Sequence, residues 1–435
     1  MPHEDCVLVV GAGIAGMKAS LMLAGLPGKK VYLVERLPIT GGKVIKNEES
    51  FPNLECSTCM VAPIQQAVLQ NPNIETLTYS TVEKISGEAG DFTVTVRKKA
   101  RYVSMAECIG CGMCFEACPV ELDNEWEESL MQRKAIYIPC SGALPNVPVI
   151  DSEHCLHLNG SGECSLCVES CAFEAVKLDE EDELLEIGAG AVILAAGSEC
   201  IDLSRFPGLG YGKLRGVYSP FEFERLFASN GPTQGEIRIR GSEEAPGSVA
   251  IVHCIGREQQ GYCSAVCCMY AFKFIHFLRH KIPGIKIHSV HSDVCVPGKG
   301  YQEFYEHVLG DDTVMLFTSS VEDVTVSESG KSLKVSYPDC SGSAGEITVD
   351  MVILTAAIVP DPGLADLAGV AGVDLDSHGF VKTAAGSSGS TETTRKGVFV
   401  AGTAEGPKDI QTSVTQAESA AGEVMAMLTR LTVNA

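Results

Sequence analysis

Near its start the chain reads CVLVVGAGIAGMKASLMLAG and then KKVYLVE. An apolar run of strand length leads into Gly11-x-Gly13-x-x-Gly16, a helical stretch follows, and a second strand ends at Glu35. This order leaves little choice of fold. Gly11 permits the tight turn, Gly13 lets backbone approach a pyrophosphate, and Gly16 lets the helix close on the strand. The helix N-terminus then faces phosphate charge, and Glu35 can accept from ribose hydroxyls. With strand, helix, second strand and terminal acid in sequence, the segment reads as an adenine-dinucleotide site.

The chain has 435 residues, enough for two or three domains, and 45% hydrophobic content with 44 glycines suits a globular α/β protein. A formal net charge of −23 argues against nucleic-acid binding. Met1–Asp5 is polar and runs straight into a strand, so no export signal is expected. Nineteen cysteines in such a chain point to metal ligands or redox thiols rather than a disulfide framework. Apolar runs such as VILAAG are far shorter than the roughly 20 residues that cross a bilayer, so no membrane span is expected.

Residues 108–119, CIGCGMCFEACP, have the spacing Cys-x2-Cys-x2-Cys-x3-Cys-Pro. Short spacers of this kind wrap a [4Fe–4S] cubane, and the fourth cysteine serves a neighbouring cluster. A second half has complete ligands but a stretched first spacer: Cys155, then Cys164-x2-Cys167-x3-Cys171, with Ala172 in place of proline. The cross-over rule assigns one cluster to Cys108, Cys111, Cys114 and Cys171. It assigns the other to Cys155, Cys164, Cys167 and Cys118. Residues 119–150, with the only tryptophan, read as an excursion without recognisable chemistry.

The C-terminal GVFVAGTAEGPKDIQTSVTQAESAAGEVMAMLTRL offers a strand, a Gly402-Thr403 turn and a long helix. It resembles the closing segment of FAD-binding disulfide-reductase-like proteins, where an acid usually stands at the place of Thr403. GAVILAAGSE and ITVDMVILTAAIVPDP resemble the strands by which those proteins enter and leave a second domain. The expected fold is α/β: a thioredoxin-reductase-like flavoprotein with two dinucleotide domains and an inserted ferredoxin domain holding two [4Fe–4S] clusters. The expected boundaries are 1–100 and 363–435 for the FAD domain and 101–187 for the ferredoxin. Residues 188–245 form the return and crossover, and 246–362 a degenerate nicotinamide-type domain.

In that last domain, SVAIVHC should lead into a second glycine fingerprint. It leads instead into CIGREQQGYCSAVCC, with Cys254, Cys263, Cys267 and Cys268. No GxGxxG is present, so hydride entry from NAD(P)H at this position is expected to be lost. Four cysteines ahead of a helix N-terminus can ligate one cluster, since that end favours anionic groups. Adjacent cysteines on a buried helix are otherwise inert core residues.

CSAVCCMYAFK, together with FPNLECSTCMVAP, AGTAEGPKDI and the ferredoxin segment, resembles the A-type subunit of heterodisulfide reductase and its relatives. The resemblance implies FAD, two ferredoxin clusters and a further cluster on Cys254, Cys263, Cys267 and Cys268. It implies that Gly42, Lys43, Gly402, Thr403, Asp409 and Ile410 join the flavin site, with Lys273 approaching the flavin ring. The chain stops soon after the closing helix, and this short form is similar to the A-type subunit of quinone-interacting membrane-bound oxidoreductase complexes of sulfate reducers. Such a protein is expected in the cytoplasm, on the inner face of the membrane through its partners. Those partners would be other complex subunits, among them a membrane-anchored quinone-reactive one, and adenylylsulfate reductase.

Cys56-x2-Cys59 near the flavin reads as a redox dithiol, as ligands or packing, or as inert core. The dithiol would make the protein an NAD(P)H-dependent disulfide reductase, and a flavin-bifurcating subunit is a further alternative. Lys273 reads alternatively as a snorkelling surface lysine. Cys6, Cys140, Cys200, Cys295 and Cys340 are isolated in sequence and expected to be structural. His253 and His291 are expected in the core, and DEEDELLE as a solvated hairpin closing the insert.

Overall fold

The computed structural model describes residues 3–310, 314–318, 321–338, 343–384 and 389–434. The chain divides into two units. The first comprises 1–45, 58–198 and 360–435, and the second 46–57 and 199–359.

The first unit is built on a five-stranded parallel sheet, ordered Val398–Val400, Ala191–Leu194, Cys6–Val10, Lys30–Val34, Ile74–Leu77. Three adjacent strands come from the end, the middle and the start of the chain: Ala191–Leu194 pairs on one side with Val7–Val10 and on the other with Val398–Val400. All residues of Cys6–Val10 and Ala191–Leu194 are buried, as expected when both faces of a parallel sheet are covered. One face packs on helices Ile14–Ala24 and Ile410–Asn434, with Met17, Leu23, Ala417, Ala421 and Val424 in one apolar cluster. The other is covered by the antiparallel sheet of Ser80–Glu88, Asp91–Lys98 and Glu183–Ala189, through Phe92, Val94 and Ile187.

Glu183–Ala189 pairs along its whole length with Phe92–Lys98. The acidic run is therefore not a closing hairpin of the insert. Its second half, from Glu183, is a strand of the first unit's antiparallel sheet. The excursion 119–150 is also more than a spacer. Trp126 and Ala143 are buried in the same cluster as Met17 and Val61. The Leu144 carbonyl accepts the Thr40 N–H at 2.8 Å and the Thr40 hydroxyl at 3.0 Å. Arg101, 4% exposed, donates to the carbonyls of Val147 at 2.9 Å and Pro38 and to the Thr78 hydroxyl at 3.1 Å. The ferredoxin segment is thus tied to the flavin unit by buried polar bonds as well as apolar packing.

The second unit has its own parallel five-stranded sheet, ordered Val217–Tyr218, Met351–Ala356, Ser248–Ile255, Lys286–His291, Val314–Thr318. Helix Pro220–Phe227 starts with a reciprocal cap: the Ser219 hydroxyl accepts the Glu222 N–H at 3.0 Å, and the Glu222 carboxylate accepts the Ser219 N–H at 2.7 Å. It packs on helix Cys267–Lys281 through Phe223, Phe227, Phe274 and Phe277, with ring centroids 4.5–5.8 Å apart. Two dinucleotide-type sheets are present. Among the described residues no helix is long and apolar enough to cross a membrane.

Candidate functional site

In the first unit the strand Cys6–Val10 ends at a turn whose glycines have distinct tasks. Gly11 has φ +103°, and an added Cβ would lie 2.3 Å from the Ala195 carbonyl oxygen. A Cβ on Gly16 would lie 1.8 Å from the Gly11 carbonyl oxygen. Both glycines are required by the protein's own packing. Gly13 is different, because the nearest atom to an added Cβ is the Gly42 Cα at 3.9 Å. The space over Gly13 is the cradle that a pyrophosphate would fill. Gly42, at φ +59°, closes its far side, and its own Cβ would fall 2.8 Å from the Gly13 Cα.

Glu35 is 7% exposed and accepts the N–H groups of Ala12 at 2.7 Å and Leu37 at 2.8 Å. Burial raises its carboxyl above the usual range, and the two N–H bonds oppose that shift. Each oxygen keeps acceptor capacity for a ribose hydroxyl. Lys43 donates to the Ser198 carbonyl. At the closing turn, Gly402 has φ +71° and donates its N–H to Gln416 at 2.9 Å. Thr403 lies in that turn. The Asp409 carboxylate caps the last helix by accepting the Thr412 N–H at 2.7 Å, which sets Ile410 in its first turn. The gap between Gly13 and Gly42, with the Glu35 carboxylate bound to the Ala12 N–H, fits the pyrophosphate and ribose of FAD.

The ferredoxin segment presents two short helices, Met113–Glu116 and Leu166–Glu169, each carrying a buried cysteine. Burial pushes Cys114 up to about 12, and the neighbours that add to this are Cys108 and Cys171. Cys167 is pushed up to about 11 by burial and then by Cys155, Cys164 and Cys118. These neighbours match the crossed assignment. Cys118, Cys155, Cys164 and Cys167 also line one apolar cavity, with Pro119, Ile136 and Leu166 among its walls. The N–H groups of Gly110 and Ala175 donate to the sulfurs of Cys108 and Cys171, each at 3.3 Å. Among the described residues no three His, Cys, Asp or Glu side chains close on a single ion. A cubane holds its thiolates at separate corners, so the four thiols around this cavity fit a cluster rather than a single ion.

In the second unit, strand Ser248–Ile255 breaks register between Val252 and Ile255, with Cys254 at φ +59° in the irregularity. A bulge of this kind re-aims a side chain. A turn bounded by Gly256 and Gly261 follows, then Cys263, and Cys267 opens helix Cys267–Lys281. Burial raises both adjacent thiols, Cys268 to about 11. Cys268 feels Cys254, Cys263 and Cys295, while Cys267 feels Cys200, Cys268 and Cys263. The structure thus brings Cys295 and Cys200 against the motif, although in sequence they look isolated. Cys340 lies outside the described residues.

The 4Fe-4S binding domain model matches residues 101–121. The chain is 36% identical over 423 residues to the A-type subunit of the H2:CoB–CoM heterodisulfide, ferredoxin reductase of Methanothermobacter marburgensis, covering 96% of this chain and 63% of that one. It is 35% identical to the A-type iron–sulfur subunit of the CoB–CoM heterodisulfide reductase of Methanocaldococcus jannaschii, over 97% of this chain and 64% of the relative. A protein of Archaeoglobus profundus, itself named for its likeness to the A-type subunit of heterodisulfide reductase, is 33% identical over 97% and 66%. Over nearly its whole length the chain is similar to A-type heterodisulfide reductase subunits. It spans a little under two thirds of the length of these relatives. Among solved structures, the thioredoxin reductase of T. acidophilum matches at TM-score 0.52 and 14% identity, covering 97% of this chain and 98% of that one. LpdA of Mycobacterium tuberculosis matches at TM-score 0.52 and 12% identity, over 97% and 72%. These two share the fold.

Lys273 does not snorkel to the surface. It is 3% exposed, and its ammonium donates to both carboxylate oxygens of Glu224 at 2.8 Å and to the Glu49 carbonyl at 2.9 Å. Cys56 and Cys59 are both exposed, which removes the reading of an inert core pair. Cys56 ends a short strand and Cys59 lies in the helix Ser57–Gln70. His253 and His291 are buried, and burial drives the imidazole of His253 down to about 3, so both are neutral core residues at physiological pH.

Proposed function

We propose that the chain is an electron-transferring oxidoreductase subunit carrying FAD and three [4Fe–4S] clusters. FAD exchanges two electrons and clusters exchange one, so together they join hydride-like chemistry to single-electron relay. The observation that carries the reading is the loop after strand Ser248–Ile255, where thiols stand in place of a nicotinamide-binding glycine fingerprint. The chain's own contribution is positioning. Gly13 and Gly42 leave room for the pyrophosphate, Glu35 orients the ribose, and Thr403 and Asp409 set the turn at the last helix. Cys108, Cys111, Cys114 and Cys171 would hold one cluster and Cys118, Cys155, Cys164 and Cys167 the next. Cys254, Cys263, Cys267 and Cys268 would hold the third. Lys43 would serve the flavin.

The finer reading is a subunit of a quinone-interacting complex at the inner face of the membrane. It would relay electrons between a membrane-anchored quinone-reactive partner and adenylylsulfate reductase. The resemblance of the sequence to the A-type subunit of that complex supports it. The purified chain should be reduced by dithionite at flavin and clusters yet oxidise NAD(P)H only slowly. Reduced chain mixed with adenylylsulfate reductase should be reoxidised when adenylylsulfate is supplied. Rapid NADH turnover, lost in Cys56→Ser with a disulfide substrate, would instead make the protein a disulfide reductase, a reading that the exposure of Cys56 and Cys59 favours.

A further inference from the structure

The four-cysteine motif of the second unit has a companion that lies 27 residues beyond Cys268 in the chain. Residues 293–295 follow strand Lys286–His291 and fold back over the motif. The Asp293 carbonyl lies 4.0 Å from the Cys254 sulfur and 3.9 Å from the Cys268 sulfur. The Cys295 N–H donates to the Cys268 sulfur at 3.4 Å. Cys263 lies close enough to Cys295 to act on its thiol electrostatically, and Cys263 is the exposed member of the motif. Cys267 is turned the other way, its thiol donating to the Ala356 carbonyl at 3.3 Å beside Tyr270. Five thiols therefore gather where a cubane needs four.

We propose that Cys295 is a reserve ligand of this site, able to take the place of Cys263. The inference rests on the reading that the motif holds a cluster. In the exchange, the iron–sulfur bond passes from Cys263 to Cys295, and the proton of the Cys295 thiol passes to the departing Cys263 thiolate. No electron moves, and no other reactant is needed. Cys263 is the ligand to leave because solvent reaches it and can stabilise its free thiol. Cys295 is the one to enter because its backbone N–H already anchors it to Cys268.

The test is iron and sulfide analysis with EPR of the reduced full chain. Three clusters give about twelve irons per chain at four each. Cys295→Ser should keep about twelve with an unchanged spectrum, because Cys263 still serves. Cys263→Ser should also keep about twelve, with one EPR component altered by the substituted ligand. The double variant should fall to about eight, the ferredoxin clusters remaining as an internal sign that the chain has folded. Loss of four irons in either single variant, or twelve irons in the double variant, overturns the reserve role. Eight irons in the wild type would remove the third cluster itself, and the proposal with it, which separates that failure from the others.

Discussion

The Lys273 ammonium lies 2.8 Å from each carboxylate oxygen of Glu224, and each side chain is 3% exposed. Burial raises the Glu224 carboxyl, and the lysine opposes that shift. Removing one partner strands a charge in the core, at a typical cost of about 3–5 kcal/mol. Lys273→Met should therefore unfold the second unit at a markedly lower temperature. Lys273→Met combined with Glu224→Leu should recover most of the loss. Calorimetry of the three proteins checks this, and additive losses would refute the coupling.

Gly13 and Gly16 should separate when each is changed to alanine. At Gly16 the new Cβ meets backbone at 1.8 Å, so the first helix cannot close and the expressed chain should be largely insoluble. At Gly13 the protein has room. Gly13→Ala should keep a wild-type circular dichroism spectrum yet retain little flavin, because only the cofactor meets the methyl group. Full flavin occupancy in Gly13→Ala would remove the pyrophosphate from this cradle.

The crossed ligand sets predict which ferredoxin variants share a spectrum. Cys171→Ser should alter the same EPR component as Cys108→Ser, although the two cysteines belong to opposite halves of the segment. Cys118→Ser should alter the component affected by Cys155→Ser. Grouping by sequence half instead would reverse the assignment.

Burial raises Cys114 to about 12 and Cys167 and Cys268 to about 11. A thiol with a raised folded-state value resists ionisation, so its stabilising contribution is complete below its unfolded value, about 8.5. It is lost as pH climbs toward 11–12. Iron-free chain should therefore lose thermal stability above about pH 8.5. Loaded chain should not, because ligation has already removed those protons. In the opposite direction, acid should speed loss of iron to a chelator, since leaving thiolates regain protons. Melting curves with and without iron, from neutral to alkaline pH, would show the first effect, and equal alkaline slopes would contradict it.

The flavin cradle is legible in the sequence because a glycine fingerprint states a backbone need that few other residues meet. Gly11 and Gly16 are excluded from carrying side chains by contacts within the first strand–helix unit and its neighbour. The ferredoxin ligands are legible because a cubane dictates short spacers. Cys295 is not, since its approach to Cys268 is set by two parallel strands that bring distant loops to one sheet edge. The excursion 119–150 hides its role for a related reason. Trp126 finds its place only once the parallel sheet of the first unit exists, and no local periodicity records that. Lys273 reads from sequence as a surface or flavin-side residue because its partner, Glu224, lies on a different helix 49 positions earlier.

The central sheet of the first unit joins strands Cys6–Val10, Ala191–Leu194 and Val398–Val400. During synthesis the residues of 101–182 leave the ribosome long before Val398–Val400 does, and domains tend to fold N-terminal first. The iron-binding segment can then mature while the flavin sheet still lacks an edge strand and the closing turn at Gly402. The expected order of loading is ferredoxin iron early and flavin last. A ribosome stalled after residue 360 would hold a nascent chain competent for iron and deaf to FAD.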